Sequence, residues 1–272
     1  MNKPYPDKAS AAGSAYAPFR DGDAALINPD TLNYYCCTNE KLLPPGVHVS
    51  GFILEFPGLG GSSCLGGALD NMTSYEHPFT ARCAGLGIVV AYMFPGPWSW
   101  MARGAVRFAD LVVDALMRKY GVDNEADLRL GVMGGSMGGQ GALIYAVDSR
   151  HRVKVCAAHC PCCDAAASMN VRAEFPRTFV SSVSGYEMPL TEALRLISPA
   201  ARIDELPDIP YLVTADELDE LFPVADTQRM AASMQARGLD VTFMRLPGQP
   251  HGGISPEERE RLDSFLLRHM II

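Results

Sequence analysis

The sequence predicts an α/β fold in which a mostly parallel sheet is covered by helices on both faces. Two patterns predict this fold: short apolar runs recur along the chain, and segments with helical spacing of apolar residues lie between them. Strands that alternate with helices form right-handed crossover units, and such units build parallel sheets. The length of 272 residues suits one large domain of this kind.

Six short apolar runs are the predicted strands. Each is bounded by polar residues, glycine or proline, which is typical of buried strands in a parallel sheet. In chain order they cover residues 48–56, 87–94, 128–134, 153–159, 209–215 and 239–246. We expect their carboxyl ends to share one edge of the sheet, where folds of this class bind ligands.

Helical patterns connect these strands. In residues 103–120, Phe108, Val112 and Leu116 recur at every fourth position, and Gly121 ends the helix. The other predicted helices are residues 70–84, a helix that holds Met230 and Met234 and ends at Gly238, and a final helix that begins at Ser255 with Pro256 and Glu258 in its first turn. Ser255 and Glu258 have the spacing of a capping box.

Composition limits the classes of partner. The formal net charge is −8 at pH 7, which argues against nucleic acid or an anionic membrane as the main partner. No run approaches the roughly 18 apolar residues that a membrane span needs, and the first residues lack the apolar core of a secretory signal. We therefore expect a cytoplasmic protein that uses neither membrane nor nucleic acid, and its oligomeric state stays open.

We expect two parts in the chain: a loosely ordered arm at residues 1–24 and a single domain at residues 25–272. The arm is rich in Ala, Pro, Ser and Gly, and no linker or repeat divides the rest. Residues 160–200 are long and irregular for a crossover connection. We interpret this segment as a small lid over the carboxyl ends of the strands.

Eight cysteines raise the question of disulfides or a metal. A chain with a core of this size does not need disulfides, so reduced thiols are the simpler interpretation. The run "CAAHCPCCD" at residues 156–164, with His159 as an extra donor, lacks a second paired-ligand motif. We therefore expect buried or loop thiols, with a metal site at Cys156–Cys163 as the weaker alternative.

Ser136 is the predicted nucleophile. Gly134, Ser136 and Gly138 fit the pattern G-x-S-x-G between a predicted strand and a predicted helix. Glycines are needed because the flanking backbones of such a sharp turn come very close together. The alternative is a glycine-rich turn in which Ser136 merely caps the helix.

A serine hydroxyl needs a base, and His251 is the predicted one. It lies in the loop "LPGQPHGG" after the last strand, where neighbouring glycines leave room for the imidazole. His159, at the end of the fourth strand, is the reserve base. A surface histidine of the loop is the alternative interpretation of His251.

An orienting carboxylate should follow a strand that lies between the serine and the histidine in the chain. We choose Asp219, which is separated by three residues from the predicted end of the fifth strand, with Asp216 as the alternative and Asp164 as a more distant third. Several of the acidic residues here must be solvated turn or helix-start charges.

Acyl transfer also needs two N–H donors for the developing oxyanion. Met137 N–H, at the start of the helix after Ser136, is the first. The second should come from the loop "PGLGGSS" after the first strand, with Leu59 as first choice and Gly60 as second. The alternative is an ordinary glycine turn.

Two tryptophans are candidates for the substrate pocket. Trp98 and Trp100 lie in "PGPWSWMARG" after the second strand, at the same sheet edge as Ser136. Packing of the loop onto the body is an equally good interpretation. Phe175, Phe179 and Tyr186 in the predicted lid have a weaker claim.

With these residues in hand, the chain resembles the α/β-hydrolase superfamily over roughly residues 48–268. The run "SPAARIDELPDIPYLVTADELDELFP", followed by "LPGQPHGG", is similar to prolyl-oligopeptidase-like and dienelactone-hydrolase-like members. Pro57 stands where the family's oxyanion loop often has His, and "TADELD" departs from the more frequent "GExD" form. The resemblance implies an α/β-hydrolase fold and a serine hydrolase without a metal or organic cofactor, but not its substrate.

The leading functional hypothesis is a carboxylic ester hydrolase that acts on small-molecule esters through an acyl-enzyme. The alternative is a small peptidase or amidase with the same residues, which would take short peptides and for which Arg103 is the one nearby charge that could anchor a peptide terminus. A third hypothesis, from another class, is a binding protein that keeps the fold and lacks activity.

Overall fold

The computed structural model describes residues 25–59 and 75–271. Within them, the strands are β1 (Cys36–Thr38), β2 (Gly51–Phe56), β3 (Ile88–Met93), β4 (Arg129–Gly135), β5 (Val153–His159), β6 (Tyr211–Leu218) and β7 (Val241–Pro250). The α-helices are α1 (Pro78–Gly85), α2 (Arg103–Tyr120), α3 (Met137–Asp148), α4 (Phe175–Val183), α5 (Leu190–Leu196), α6 (Val224–Ala236) and α7 (Pro256–Ile271).

The strands form one sheet in the order β1-β3-β2-β4-β5-β6-β7. All neighbouring pairs are parallel except β1 with β3, which is antiparallel. The predicted α/β-hydrolase class is therefore confirmed, and each of the six predicted strands is present. Strand β1 was not predicted, because three residues are too few to show a periodic pattern.

The two faces of the sheet bury separate apolar clusters. Along β2, Phe52 and Leu54 belong to the cluster packed by α2, α3 and α6, whereas Ile53 belongs to the cluster packed by α1 and α7. This alternation follows from the two-residue period of a strand. The sheet is thus covered on both faces, as the continuous apolar runs of the sequence predict.

Helix boundaries follow local stop and start signals. Helix α2 has the predicted bounds and ends at Gly121, whose φ is +70°. At the start of α7, Ser255 N–H donates to Glu258 Oε2 (2.8 Å), and Glu258 N–H donates to Ser255 Oγ (3.3 Å), so the predicted capping box is formed. Because proline favours the first helical position, α1 begins at Pro78 and not at residue 70, and residues 70–74 lie outside the described part.

Residues 160–200 contain α4 and α5 and lie at the carboxyl ends of the strands. Their apolar side chains join Trp100 and Met137 in a third buried cluster. We call this segment the helical insertion. Its role as a lid stays a prediction, and the predicted arm at residues 1–24 lies outside the described residues.

Among the helices of residues 25–59 and 75–271, none has both the length and the apolar character that crossing a membrane requires.

Candidate active site

Ser136 lies in the turn that joins β4 to α3. Its φ of +58° and ψ of −122° are strained for a residue with a side chain. The turn is held because Ser136 N–H donates to the His159 carbonyl (2.9 Å) and Gln140 N–H donates to the Ser136 carbonyl (3.1 Å). The side chain makes no capping bond to the helix, so Ser136 Oγ is left to interact elsewhere.

The glycines beside Ser136 are sterically required. A Cβ on Gly134 would lie 2.5 Å from the Gly138 carbonyl oxygen, and a Cβ on Gly138 would lie 1.9 Å from the Phe56 carbonyl oxygen. Both contacts are far below van der Waals separation and involve backbone atoms that cannot move aside. The close approach of backbones that the sequence pattern predicts is therefore present.

Gly138→Ala is expected to destabilise the protein by more than about 4 kcal/mol or to prevent folding, because the added methyl overlaps the Phe56 carbonyl. The measurement is urea denaturation followed by circular dichroism. Gly141→Ala, in the same helix, is the matched control: its Cβ would lie 3.2 Å from the flexible end of Met101, so its change should stay within about 1 kcal/mol. A Gly138→Ala protein as stable as the control would contradict this close packing.

His251 and Asp219 complete a continuous line of hydrogen bonds to the serine. His251 Nε2 lies 2.8 Å from Ser136 Oγ, and His251 Nδ1 lies 2.7 Å from Asp219 Oδ2. The second carboxylate oxygen, Asp219 Oδ1, accepts hydrogen bonds from the N–H groups of Leu221 (2.7 Å) and Phe222 (2.8 Å). A carboxylate fixed in this way can orient the imidazole so that Nε2 accepts a proton from the serine.

Strand pairing explains why these two side chains meet. Strands β6 and β7 extend beyond their predicted ends, and their last pair joins Leu218 to Pro250. Asp219 and His251 are the next residues on the two strands, so neighbouring parallel strands deliver the acid and the base side by side. Asp219 directly follows the observed end of β6 at Leu218, whereas three residues separate it from the predicted strand end at residue 215.

The sequence profile of the prolyl oligopeptidase family matches residues 100–270, which is well over half of the chain and includes Ser136, Asp219 and His251. The chain belongs to the prolyl oligopeptidase family. Among curated proteins no sequence matches it.

Solved structures similar to this family member share its fold at low sequence identity. Acylaminoacyl peptidase of Pyrococcus horikoshii is 15% identical (TM-score 0.61), and the match covers 82% of this chain and 37% of that one. Esterase B of Lactobacillus Rhamnosis is 12% identical (TM-score 0.59; 83% and 79% covered). A truncated form of a carbohydrate esterase from gut microbiota is 14% identical (TM-score 0.64; 85% and 90% covered). The chain thus spans little more than a third of the peptidase.

The alternative acids and the alternative base have other surroundings in this family member. Asp216 is fully buried, and its Oδ2 accepts a hydrogen bond from Gly252 N–H (2.7 Å). His159 Nδ1 is bonded to Thr214 Oγ1 (2.7 Å). Asp164 Oδ1 accepts the N–H groups of two following residues at the start of the helical insertion. The structure therefore brings Ser136, His251 and Asp219 together, and gives the other three groups different partners.

Burial shifts the protonation of the Asp216–His159 pair. Burial raises the pKa of Asp216 to about 6 and lowers the pKa of His159 to about 4. Among the described residues, Asp216 Oδ1 accepts no hydrogen bond, and it lies 3.7 Å from His159 Nδ1. Burial thus shifts both groups toward their neutral forms beneath the loop that carries His251.

Asp216→Asn is expected to gain stability relative to the wild type as the pH rises. An acid whose pKa is raised on folding binds more protons in the native state, so its contribution to stability falls between its usual pKa of 3.8 and about 6. His159 contributes the opposite slope, because its lowered pKa makes the unfolded state bind more protons. That slope is common to both proteins and cancels in their difference.

The measurement is the urea midpoint of both proteins from pH 4 to pH 7. The difference between Asp216→Asn and the wild type should increase up to about pH 6 and then level. Asp123→Asn, at an exposed position, should give a difference that does not change with pH in this way. A flat difference for Asp216→Asn would contradict the raised pKa.

Two predicted oxyanion donors lie close to the serine. Met137 is the first residue of α3 and is buried. The loop after β2 packs against the turn, since a Cβ on Gly58 would be only 3.7 Å from Ser136 Cβ. Leu59, the next residue, is half-buried against the cluster that contains Met137. Gly60, the second choice, lies outside the described residues.

The two tryptophans have different environments. Trp100 is fully buried, its ring lies 4.1 Å from that of Phe179, and its Nε1–H donates to Thr178 Oγ1 (3.1 Å). It therefore joins the loop after β3 to the helical insertion by packing. Trp98 is half-buried, with the Arg177 guanidinium 4.7 Å from its ring centroid.

The helical insertion and α2 are also linked through Tyr186. Its hydroxyl accepts a hydrogen bond from Arg103 N–H (2.8 Å), and the Arg103 guanidinium lies 4.4 Å from the Tyr186 ring centroid. The guanidinium of Arg103, the candidate anchor for a peptide terminus, thus packs on an aromatic ring.

Phe222 is a residue of the site that the sequence pattern did not single out. Its ring lies 5.2 Å from the His251 ring in an edge-to-face arrangement. The available signal was its position, three residues after Asp219 and directly before Pro223 at the start of α6. Because Phe222 follows Asp219 in the same turn, both side chains contact His251.

In the described residues, one group of donor atoms is close enough to hold a metal. Cys160, Asp216, Asp219 and His251 each offer one atom, all within 4.8 Å of one another. Zinc accepts such donors, but a metal there would compete with the hydrogen bond between His251 and Asp219. Cys156, Cys160, Cys162 and Cys163 are buried free thiols, and burial raises the pKa of each. Cys64 lies outside the described residues.

Proposed function

We propose that this chain hydrolyses carboxylic esters of small molecules through an acyl-enzyme on Ser136. The observation that carries the proposal is the hydrogen-bonded line from Asp219 through His251 to Ser136, with distances of 2.7 Å and 2.8 Å. Each group in this line supplies one requirement of nucleophilic acyl transfer: a nucleophile, a base and a carboxylate that orients the base.

In the first half of the reaction Ser136 Oγ attacks the acyl carbon while His251 Nε2 takes the hydroxyl proton. The carbonyl oxygen becomes an oxyanion, which accepts hydrogen bonds from Met137 N–H and Leu59 N–H. The C–O bond to the alcohol then breaks, and His251 gives its proton to the leaving oxygen. The products of this half are a free alcohol and an acyl group on Ser136.

In the second half a water molecule attacks the acyl carbon, and His251 takes one of its protons. The bond between the acyl carbon and Ser136 Oγ breaks, and the same proton returns to the serine. The carboxylic acid leaves and ionises in solution. Asp219 remains a carboxylate throughout and stabilises the imidazolium that forms twice in the cycle.

Two observations favour esters over amides. The chain covers 79% of esterase B and 90% of a truncated form of a carbohydrate esterase, whereas it spans only 37% of the acylaminoacyl peptidase. In addition, Arg103 is engaged with Tyr186. The family match supports the second candidate, a peptidase or amidase with the same three residues.

The test begins with a fluorophosphonate probe on the wild type and on Ser136→Ala, read by intact mass. We expect one label on the wild type, at Ser136, and none on the variant. A folded wild type that takes no label would favour the third hypothesis, a binding protein without activity.

A matched substrate panel then separates the two enzymatic candidates. We expect kcat/KM for p-nitrophenyl acetate and butyrate to exceed that for aminoacyl p-nitroanilides. Efficient cleavage of an anilide with weak ester turnover would replace the ester proposal by the peptidase one.

A further inference from the structure

A cavity of about 330 Å³ lies between the helical insertion and α6. This volume is at the lower end of the range for small-molecule sites. Cys163, Ile203, Phe222 and Met230 provide apolar walls, while the polar side chains in the lining include Asp226 and Arg229, which pair with each other. None of the three reacting residues lines the cavity.

Phe222 borders both this cavity and the line of Asp219, His251 and Ser136. Phe222 is one of the residues that line the cavity, and its ring contacts the His251 ring at 5.2 Å between centroids. It also stacks on Phe175 at 6.1 Å, and only 4% of the residue is exposed. Its backbone is fixed because Phe222 N–H donates to Asp219 Oδ1. Phe222 is therefore a residue that both borders the cavity and contacts His251, the proposed base.

The apolar side chains around the proposed oxyanion donors are continuous with Phe222. Met137 and Phe222 belong to the same buried cluster, and Leu59 packs against it. In the proposed mechanism the acyl carbon sits between Ser136 Oγ and these two N–H groups, so an acyl chain that extends along the cluster runs toward Phe222.

We propose that Phe222 limits the acyl group of the substrate to short chains, and that the cavity behind it is a binding site for the distal methylenes of a medium-length acyl chain once the ring is removed. This inference rests on the proposed function. It identifies short-acyl esters as the substrate class, and Phe222 as the residue that determines it.

The experiment measures kcat/KM for p-nitrophenyl acetate, butyrate and octanoate with the wild type and Phe222→Ala. In the variant, the ratio of octanoate to acetate should increase by about tenfold or more, because several methylenes gain an apolar site. Phe222→Val serves as a second variant that removes the ring with less loss of packing. If both variants fold and neither raises the ratio, the inference is overturned.

A pair of neighbouring substitutions tests whether the cavity receives the chain. Ala166 and Ala167 are both exposed, and the N–H groups of both donate to Asp164 Oδ1, but only Ala167 lines the cavity. Ala167→Trp added to Phe222→Ala should lower the octanoate-to-acetate ratio of kcat/KM again, because the indole fills the cavity. Ala166→Trp in the same background should leave the raised ratio intact. Equal ratios in the two double variants would contradict the assignment.

Two further controls separate the possible failures. Acetate esters of octanol and ethanol vary the alcohol alone, and their ratio should be unchanged in Phe222→Ala. A change confined to the alcohol series would overturn the acyl assignment. Absence of fluorophosphonate labelling and of acetate turnover in the folded wild type would instead contradict the proposed function itself.

Discussion

Ser136→Ala is expected to lower kcat for p-nitrophenyl acetate by about 10⁶-fold. The substitution removes the oxygen on which the proposed acyl-enzyme forms, and it leaves His251 without the proton donor that lies 2.8 Å from its Nε2. The N–H donors and the binding surface remain, so the variant should keep a small acceleration over the uncatalysed reaction in water. The measurement is the release of p-nitrophenol under saturating substrate.

The fold should survive this substitution. The backbone of the turn is held by Ser136 N–H and C=O, and the hydroxyl makes no capping bond. Ser184→Ala, at an exposed serine of the helical insertion, is the matched control and should retain full activity. If Ser136→Ala kept more than about 1% of the wild-type kcat while folded, the large loss expected of a nucleophile would be absent, and the reaction would use another nucleophile.

The regular elements could be predicted because their signals are local. The bounds of α2 depend on apolar spacing and on Gly121, and the start of α7 depends on the hydrogen bonds between Ser255 and Glu258. The turn at Ser136 is equally local, since Gly138 has room only for hydrogen where its neighbours cross. In each case the residues that determine the geometry lie within a few positions of one another.

The remaining features depend on pairing across the chain. Strand β6 continues to Leu218 because that residue pairs with Pro250, 32 positions away, and this pairing moves Asp219 to the strand end. Trp98 and Trp100 share one loop and similar sequence surroundings, yet only Trp100 is enclosed by the helical insertion. Phe222 borders a cavity that exists only after the insertion and α6 have packed together. No local pattern encodes these outcomes.

Two carboxylates near His251, Asp216 in β6 and Asp219 directly after it, should respond very differently to exchange for asparagine. Asp219→Asn is expected to lower kcat by about 10⁴-fold. An amide at this position cannot stabilise the imidazolium. It can also present an N–H group to His251 Nδ1, which favours the tautomer with the proton on Nε2 and leaves no acceptor for the serine proton.

Asp216→Asn is the matched comparison, because its side chain lies in the same cluster of donor atoms. Its bond is to Gly252 N–H at 2.7 Å, and the amide oxygen of asparagine can accept that same bond. We therefore expect kcat to fall by less than about tenfold, since the imidazole keeps its hydrogen bond to the Asp219 carboxylate. Both variants are measured side by side with p-nitrophenyl acetate as the substrate. A larger loss of kcat in Asp216→Asn than in Asp219→Asn would reverse the assignment and make Asp216 the carboxylate that orients the base.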